Sequence, residues 1–466
     1  MTELRREIGL FGGISVLAGI MIGSGIFYIG GIVLERSGMN LGLALLVWIA
    51  GGLITLMSGV CYAELGAMMP KAGGSYVYLR EAYGERTAFV SGFSSFVLSA
   101  SASIAALAVA FAAALSTVIP MGPTAQKFLA AGTILLLTLV NIRGVRAGAA
   151  VQNIFMVLKL LPIAVILGAG LIMGDVETPI LSMPEELPSA GTLLSTVAFA
   201  VVATLWAYEG WTNLNSIAEE IKNPRRTLPL AIIFSIVGVT LLYVLFNYSI
   251  FRVLPYETIR SMIEGGDYYL GREAANVLFG TFGGTVVAAA MILAIFNSLN
   301  GCVMVFPRVY YAMARDGAMV RALGTLHGNF RTPVNALLAS AAISIGLVFM
   351  RDLGGLTSLV AVSGIIFNGL TFYAVIVLRR RYPTMERPYK VWLYPYLIWA
   401  VIAVMVGLLV STLLEDPFTA MLNLIVPAIA LVIFKVFFEK SSEEAARRRS
   451  ESRAAQAAQP ALAADD

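Results

Sequence analysis

Charge is what this chain mostly lacks. Asp, Glu, Lys and Arg make up 13% of its 466 residues, against about 25% in a soluble domain. Histidine occurs once, at His327, and cysteine twice, at Cys61 and Cys302. Two cysteines inside apolar runs give neither a disulfide framework nor zinc spacing. A single histidine in a polar connector leaves no His-based metal site or proton relay. No metal cluster, nucleophile–base set or nucleotide motif is present, which argues against a polytopic membrane enzyme. No metal, cofactor or nucleic-acid partner is expected. The first apolar run is too long for a cleavable signal peptide and shows no cleavage site.

Apolar residues fill the space that charge leaves: 58% are hydrophobic and the mean hydropathy is +0.83. Twelve segments have about the length of a membrane crossing. They run over 8–33, 41–69, 87–118, 124–142, 148–174, 191–221, 228–252, 284–312, 333–350, 355–378, 392–413 and 418–438. The connectors between them carry Pro, Gly and charge, as in "NIRGVRAG" and "KNPRRTLP". The expected class is therefore an all-α polytopic membrane protein. An even number of crossings puts both termini on one side. The flanks on that side hold 25 of the 32 Lys and Arg residues, the opposite flanks hold 6, and Lys159 lies within a crossing. Such a bias predicts that both termini are cytoplasmic, in the cytoplasmic membrane. The connector "KAGGSYVYLREAYGE" reads as an amphipathic segment along the inner face. The tail 439–466 reads as a frayed helix or a disordered end that touches lipid through Arg447–Arg449.

Two crossings are interrupted. "GIMIGSGIFYIGG" places Gly23, Ser24 and Gly25 inside the first, and "TLWAYEGWTNLN" places Glu209 and Gly210 inside the sixth. Non-helical backbone at membrane depth survives only where it lines a cavity or is buried in protein. Taken alone, the first interruption reads as a packing groove. The second stands at the matching position of a second five-crossing block, and paired breaks in corresponding helices point to a transporter site. The blocks are 8–174 and 191–380, preceded by residues 1–7 and followed by crossings eleven and twelve at 392–438. An odd number of crossings per block makes the two inverted relative to each other. A break frees N–H groups that suit a carboxylate and C=O groups that suit an ammonium. An α-amino acid carries both on adjacent atoms. A channel would need an open path instead.

The segments "IGSGIF", "CYAELGAMMPKAGGSYVYLREAYGE", "LWAYEGWTNLNSIAEEIKNPRRTLPLAI" and "LNGCVMVFPRVYYAMARDG" resemble the L-type amino acid transporter branch of the amino acid–polyamine–organocation superfamily. Bacterial serine/threonine and alanine exchangers are the nearest in look, and the resemblance runs from Glu7 to about Phe438. It implies a LeuT-like five-plus-five inverted repeat with broken helices 1 and 6, followed by helices 11 and 12. It implies a secondary transporter, an exchanger of small neutral L-amino acids such as Ser, Thr and Ala, working by alternating access. Gly23, Ser24 and Gly25 would hold the substrate carboxylate. Carbonyls around Ile20, Met21, Trp206 and Ala207 would receive the ammonium, and the Trp206 ring would close over the substrate. The loop "VIPMGPTAQ" lacks the cysteine that links eukaryotic members to a heavy chain, so no such disulfide-linked partner is expected.

Intramembrane polar residues complete the reading. Lys159 sits roughly 16 Å along its helix from the inner end, where a charge must snorkel or find partners. The resemblance gives it the place of a cation, bridging the first and eighth helices with Ser298 nearby; coupling to a proton is the alternative. Glu209 either meets the substrate side chain or caps loose amides of the broken sixth helix. As a counter-charge it would suit cationic amino acids or polyamines. Asn213, Ser298 and Asn300 are either cavity donors or interhelical glue, and the resemblance singles out Asn300 as a substrate contact. Tyr208 and Trp211 read as packing. Glu64, Glu219 and Glu220 lie near inner ends, with Arg80, Arg225 and Arg226 as candidate partners.

Overall fold

A computed structural model describes residues 4–23, 25–176, 190–351, 353–415 and 417–462. Helices cover all twelve apolar segments. In chain order they are α1 (Leu10–Met21), α2 (Gly25–Arg36), α3 (Leu41–Met68), α4 (Ser75–Tyr83), α5 (Glu85–Ser116), α6 (Pro123–Ile142), α7 (Val145–Met173) and α8 (Ala190–Ala207). A 3-10 segment spans Asn213–Glu220. Then come α9 (Pro224–Val253), α10 (Tyr256–Glu264), α11 (Leu270–Phe279), α12 (Thr281–Val305), α13 (Pro307–Arg315), α14 (Val334–Met350), α15 (Leu353–Arg381), α16 (Tyr396–Glu415), α17 (Pro417–Ile433) and α18 (Glu439–Leu462). Among the described residues, six helices are long and apolar enough to cross a membrane, and α1 with α2 makes a seventh if the bent pair is one crossing. The protein is a multi-pass membrane protein built of helices.

Small residues set how close the helices approach. Gly51, Gly52 and Gly59 line α3. A methyl group at each would come within 2.0 Å of the Thr204 hydroxyl, 2.3 Å of the Thr240 hydroxyl and 2.6 Å of Ile236 respectively. α8 and α9 therefore lie directly against the α3 backbone. This packing places the end of α8 beside α9, where the second break begins.

Two connectors hold more structure than the sequence suggests. The connector after α9 forms α10 and α11, and Tyr268 between them donates to Glu35 at 3.1 Å. α4 buries Tyr76, Val77, Tyr78, Leu79, Arg80 and Ala82, so it is packed into the bundle and does not lie along its surface. Of the two expectations for the tail after Glu439, a helix is present, α18, and it is packed at its start, where Ser442 is fully buried.

Candidate substrate site

Both interruptions are real breaks in helix. α1 ends at Met21, α2 begins at Gly25, and their axes differ by 51°. Ser24 lies outside the described residues. α8 ends at Ala207, and turns carry the chain over residues 208–212 into the 3-10 segment. Gly210 has φ +116°, a conformation that side-chain-bearing residues rarely adopt. The breaks lie against each other. A methyl at Gly210 would stand 2.6 Å from Ile20, and one at Gly25 would stand 3.5 Å from the Ala207 side chain.

A helix end leaves carbonyls without partners, and here side chains from three other helices supply donors. Lys159 on α7 donates from Nζ to the carbonyls of Gly19 at 2.7 Å and Ile22 at 2.6 Å. Ser298 on α12 lies 3.1 Å from the Gly19 carbonyl and 3.0 Å from that of Ile20. The Tyr243 hydroxyl on α9 stands 2.9 Å from the carbonyls of both Met21 and Ala207. One proton is thus shared between the last residue of α1 and the last residue of α8. A cation and hydroxyls at a helix C-terminus are electrostatically well placed. With its amide oxygen turned toward α7, Asn297 accepts from Lys159 at 3.3 Å. Lys159 thus joins α7 to α1 and to Asn297 of α12, and Ser298 joins α12 to α1.

The carbonyls of Ile20, Met21 and Ala207, expected to meet an ammonium, already have protein donors. A carbonyl has two lone pairs, so a ligand there would share acceptors. The start of α2 differs. Its first N–H groups have no intrahelical partner, and Gly23 and Gly25 add no side chain over them. Gly23 faces the Ser298 hydroxyl, which a methyl there would meet at 3.4 Å.

Asn300 sits elsewhere. Its amide donates to Gln152 Oε1 at 2.8 Å and to the Gly148 carbonyl at 3.2 Å, and it accepts from Asn141 at 3.1 Å. It is fully buried and ties α12 to α6 and α7. Gln152 passes the network on to the Ser15 carbonyl of α1 at 3.3 Å.

A cavity of about 110 Å³ opens beside the second break. That is well under the roughly 300–1,000 Å³ of a drug-sized pocket. Glu209, Thr212 and Asn213 form one wall, while Ser91, Ser95, Ser99 and Ser103 form another. These serines share a face of α5, which makes a π turn over Ser95–Ser99; such turns are frequent at functional sites. Among the described residues, no Lys or Arg lines the cavity. Two lining hydroxyls, of Tyr76 and Ser363, are buried without a hydrogen-bond partner. Burial pushes the Tyr76 phenol above its ordinary range, keeping it a neutral donor. Tyr62 closes one end by donating to Asn368 at 2.6 Å. Tyr208 and Trp211 are packing residues: Tyr208 is T-shaped to Trp48, and Trp211 stacks on Phe372. Trp206 keeps 37% of its surface open and is not part of the cavity wall.

The closure between this site and the Lys/Arg-rich face uses other partners than expected. Glu7 and Ile8 donate to the Glu220 carbonyl at 3.0 and 3.1 Å, and Lys222 donates back to Ile8 at 2.8 Å. The chain before α1 is thereby tied to the end of the second break. Glu220 pairs with Arg308 at 2.8 Å, both fully buried. Glu64 pairs with Arg379 at 2.6 Å, Glu219 with Arg315 at 3.6 Å and Arg225 with Glu386 at 2.8 Å. Arg80 pairs with Asp316. Partners near in sequence were the wrong choice because the packing, not the connector, brings the ends together.

Sequence reasoning missed Tyr243, Asn297 and Gln152. The available signal was a tyrosine or amide deep within an apolar crossing, and nothing local says which carbonyl each one meets.

A sequence model of the amino acid permease family matches residues 8–436. The serine/threonine exchanger SteT of Bacillus subtilis is 33% identical over 92% of this chain and 96% of its own length. The mouse b(0,+)-type amino acid transporter 1 is 31% identical over 94% of this chain and 88% of its own. The human Asc-type amino acid transporter 1 is 32% identical over 96% and 86%. With two crossed helix breaks, capped carbonyls and a match over nearly its whole length, the chain belongs to the amino acid permease family of the amino acid–polyamine–organocation superfamily, and it is a transporter, not an enzyme.

Proposed function

We propose that this transporter exchanges small neutral L-amino acids, with Ser, Thr and Ala first, across the cytoplasmic membrane by alternating access. The observation that carries this is the contact of the two breaks, Gly25 on Ala207 and Gly210 on Ile20. It sets free amides of α2 beside the carbonyl ends of α1 and α8, a match for the two charged groups of a zwitterion. Gly23, Ser24 and Gly25 take the carboxylate. The ammonium shares the carbonyls of Ile20, Met21 and Ala207 with Ser298 and Tyr243. Lys159 holds the inner half of the first crossing in place of a metal ion, and Asn300 supports that half through Gln152.

In this reading the chain has twelve crossings. Residues 8–174 and 191–380 are inverted five-crossing repeats, 392–438 adds two more, and both termini face the cytoplasm. The docking of the chain around Ile8 near Glu220, and of α18 near Asp316, supports a common side for the termini. Both cysteines are buried, so neither is placed for a disulfide to a heavy chain.

The small cavity favours short side chains. Its hydroxyl lining and Glu209, with no basic residue in the wall, favour a second reading in which cationic amino acids or polyamines enter. Counterflow separates the two. Proteoliposomes loaded with labelled serine are challenged with each of the twenty amino acids and with polyamines, with and without a proton gradient. Efflux driven by Ser, Thr and Ala alone, insensitive to the gradient, supports neutral exchange. Efflux driven by Arg, Lys or polyamines supports the second reading, and dependence on the gradient supports proton coupling. No efflux with any substrate overturns the assignment.

A further inference from the structure

The helix α18 is held to the bundle by a chain of alternating charge. Arg449 pairs with Glu85, the first residue of α5, and with Asp316 at 2.5 Å, just past α13; Asp316 also pairs with Arg80 on α4. The three flanking side chains are shielded, with 7% of Arg80, 14% of Asp316 and 18% of Glu85 exposed. Shielded pairs are screened less by salt than open ones, and a guanidinium has donors enough to serve two carboxylates. Neutral contacts reinforce the charges. Ser442 donates to Glu85 at 3.1 Å and Ser441 to the Gly317 carbonyl at 2.6 Å. Gly317 has φ +73°, and a methyl there would stand 2.7 Å from the Ser441 carbonyl. Arg86 pairs with Glu439 at 2.5 Å.

The elements joined here are walls of the cavity. α4 contributes Tyr76, α5 contributes Ser91 and Ser95, and α13 contributes Val309. Glu85 and Asp316 lie about 10 Å along their helices from Ser91 and Val309. A bond between those ends sets how far the walls part. We propose that α18 is a latch that ties together the Lys/Arg-rich ends of three cavity walls, with Arg449 as its bolt, and that its release favours the state open to that face. The latch rests on the transport reading for its two states, while labelling is read without measuring exchange.

The test uses the full-length protein with Ser91→Cys as reporter; the native cysteines are buried. Inside-out vesicles are treated with a charged, impermeant thiol reagent. Arg449→Ala should raise the labelling rate about fivefold, equivalent to about 1 kcal/mol. Arg449→Lys, which keeps the charge but not the fork, should fall between the parent and Arg449→Ala, and Arg447→Ala should stay near the parent rate. A chain ending at Lys440, which also loses the contacts of Ser441 and Ser442, should label at least as fast as Arg449→Ala. Unchanged labelling in Arg449→Ala overturns the latch, whatever the truncated chain does. Counterflow is scored separately on the chain without the reporter cysteine: no exchange of any amino acid there defeats the transport reading and leaves the labelling comparison intact.

Discussion

Lys159 and Ile22 lie 137 positions apart in the chain and 2.6 Å apart in space, Nζ against carbonyl oxygen. The lysine needs a partner at membrane depth, and the end of α1 needs donors. Each answers the other. Lys159→Ala leaves the carbonyls of Gly19 and Ile22 without that donor. Hydrogen bonds to charged groups contribute about 1.5–3 kcal/mol each, so exchange should fall at least tenfold. Counterflow on protein that still elutes as a single species checks this, and near-parent exchange would remove Lys159 from the mechanism.

Gly25 and Gly210 should respond differently to substitution. A methyl at Gly25 meets Ala207 at an ordinary 3.5 Å, so Gly25→Ala should fold and transport. Gly25→Val adds carbons over the amides of α2 and should abolish substrate binding. Gly210→Ala combines a positive φ with a 2.6 Å approach to Ile20 and should fail at either site or fold. Substrate-induced thermal shifts for the three variants give the ranking directly.

Tyr243 gives one hydroxyl proton to two carbonyls. Tyr243→Phe keeps the ring against Trp48, 5.0 Å between centroids, and removes only that proton. A loss of about 1 kcal/mol predicts roughly fivefold weaker apparent substrate affinity with little change in stability. A full-activity Phe variant would show that the two helix ends need no shared donor.

Glu209 has no ion-pair partner among the described residues and faces a hydroxyl-lined cavity. Glu209→Gln should change which side chains drive counterflow, with serine and alanine affected least. If the substrate profile is unchanged, the carboxylate only caps the turn at Gly210.

The Glu220–Arg308 pair is fully buried. Removing one member strands a charge, at about 3–5 kcal/mol, so Glu220→Ala should melt several degrees lower in detergent. Glu220→Leu with Arg308→Met should recover most of that stability. A double variant as unstable as the single one would contradict a role limited to charge compensation.

The sequence by itself determined the helical, membrane-spanning class and the two breaks. Length and hydropathy mark a crossing, and Gly, Ser and Glu inside "IGSGIF" and "AYEGW" interrupt it, because both signals are local in the chain. The permease family was also legible in those motifs. Which side chains serve the freed carbonyls was not. Tyr243, Asn297 and Ser298 reach α1 only through packing that glycines on facing helices permit, and Asn300 was drawn away from the cavity by Gln152 and Asn141. The partners of Glu64, Glu220 and Arg80 likewise come from helices distant in sequence. Charge and polarity in a residue state that a partner is needed; only the tertiary structure decides which one is within reach.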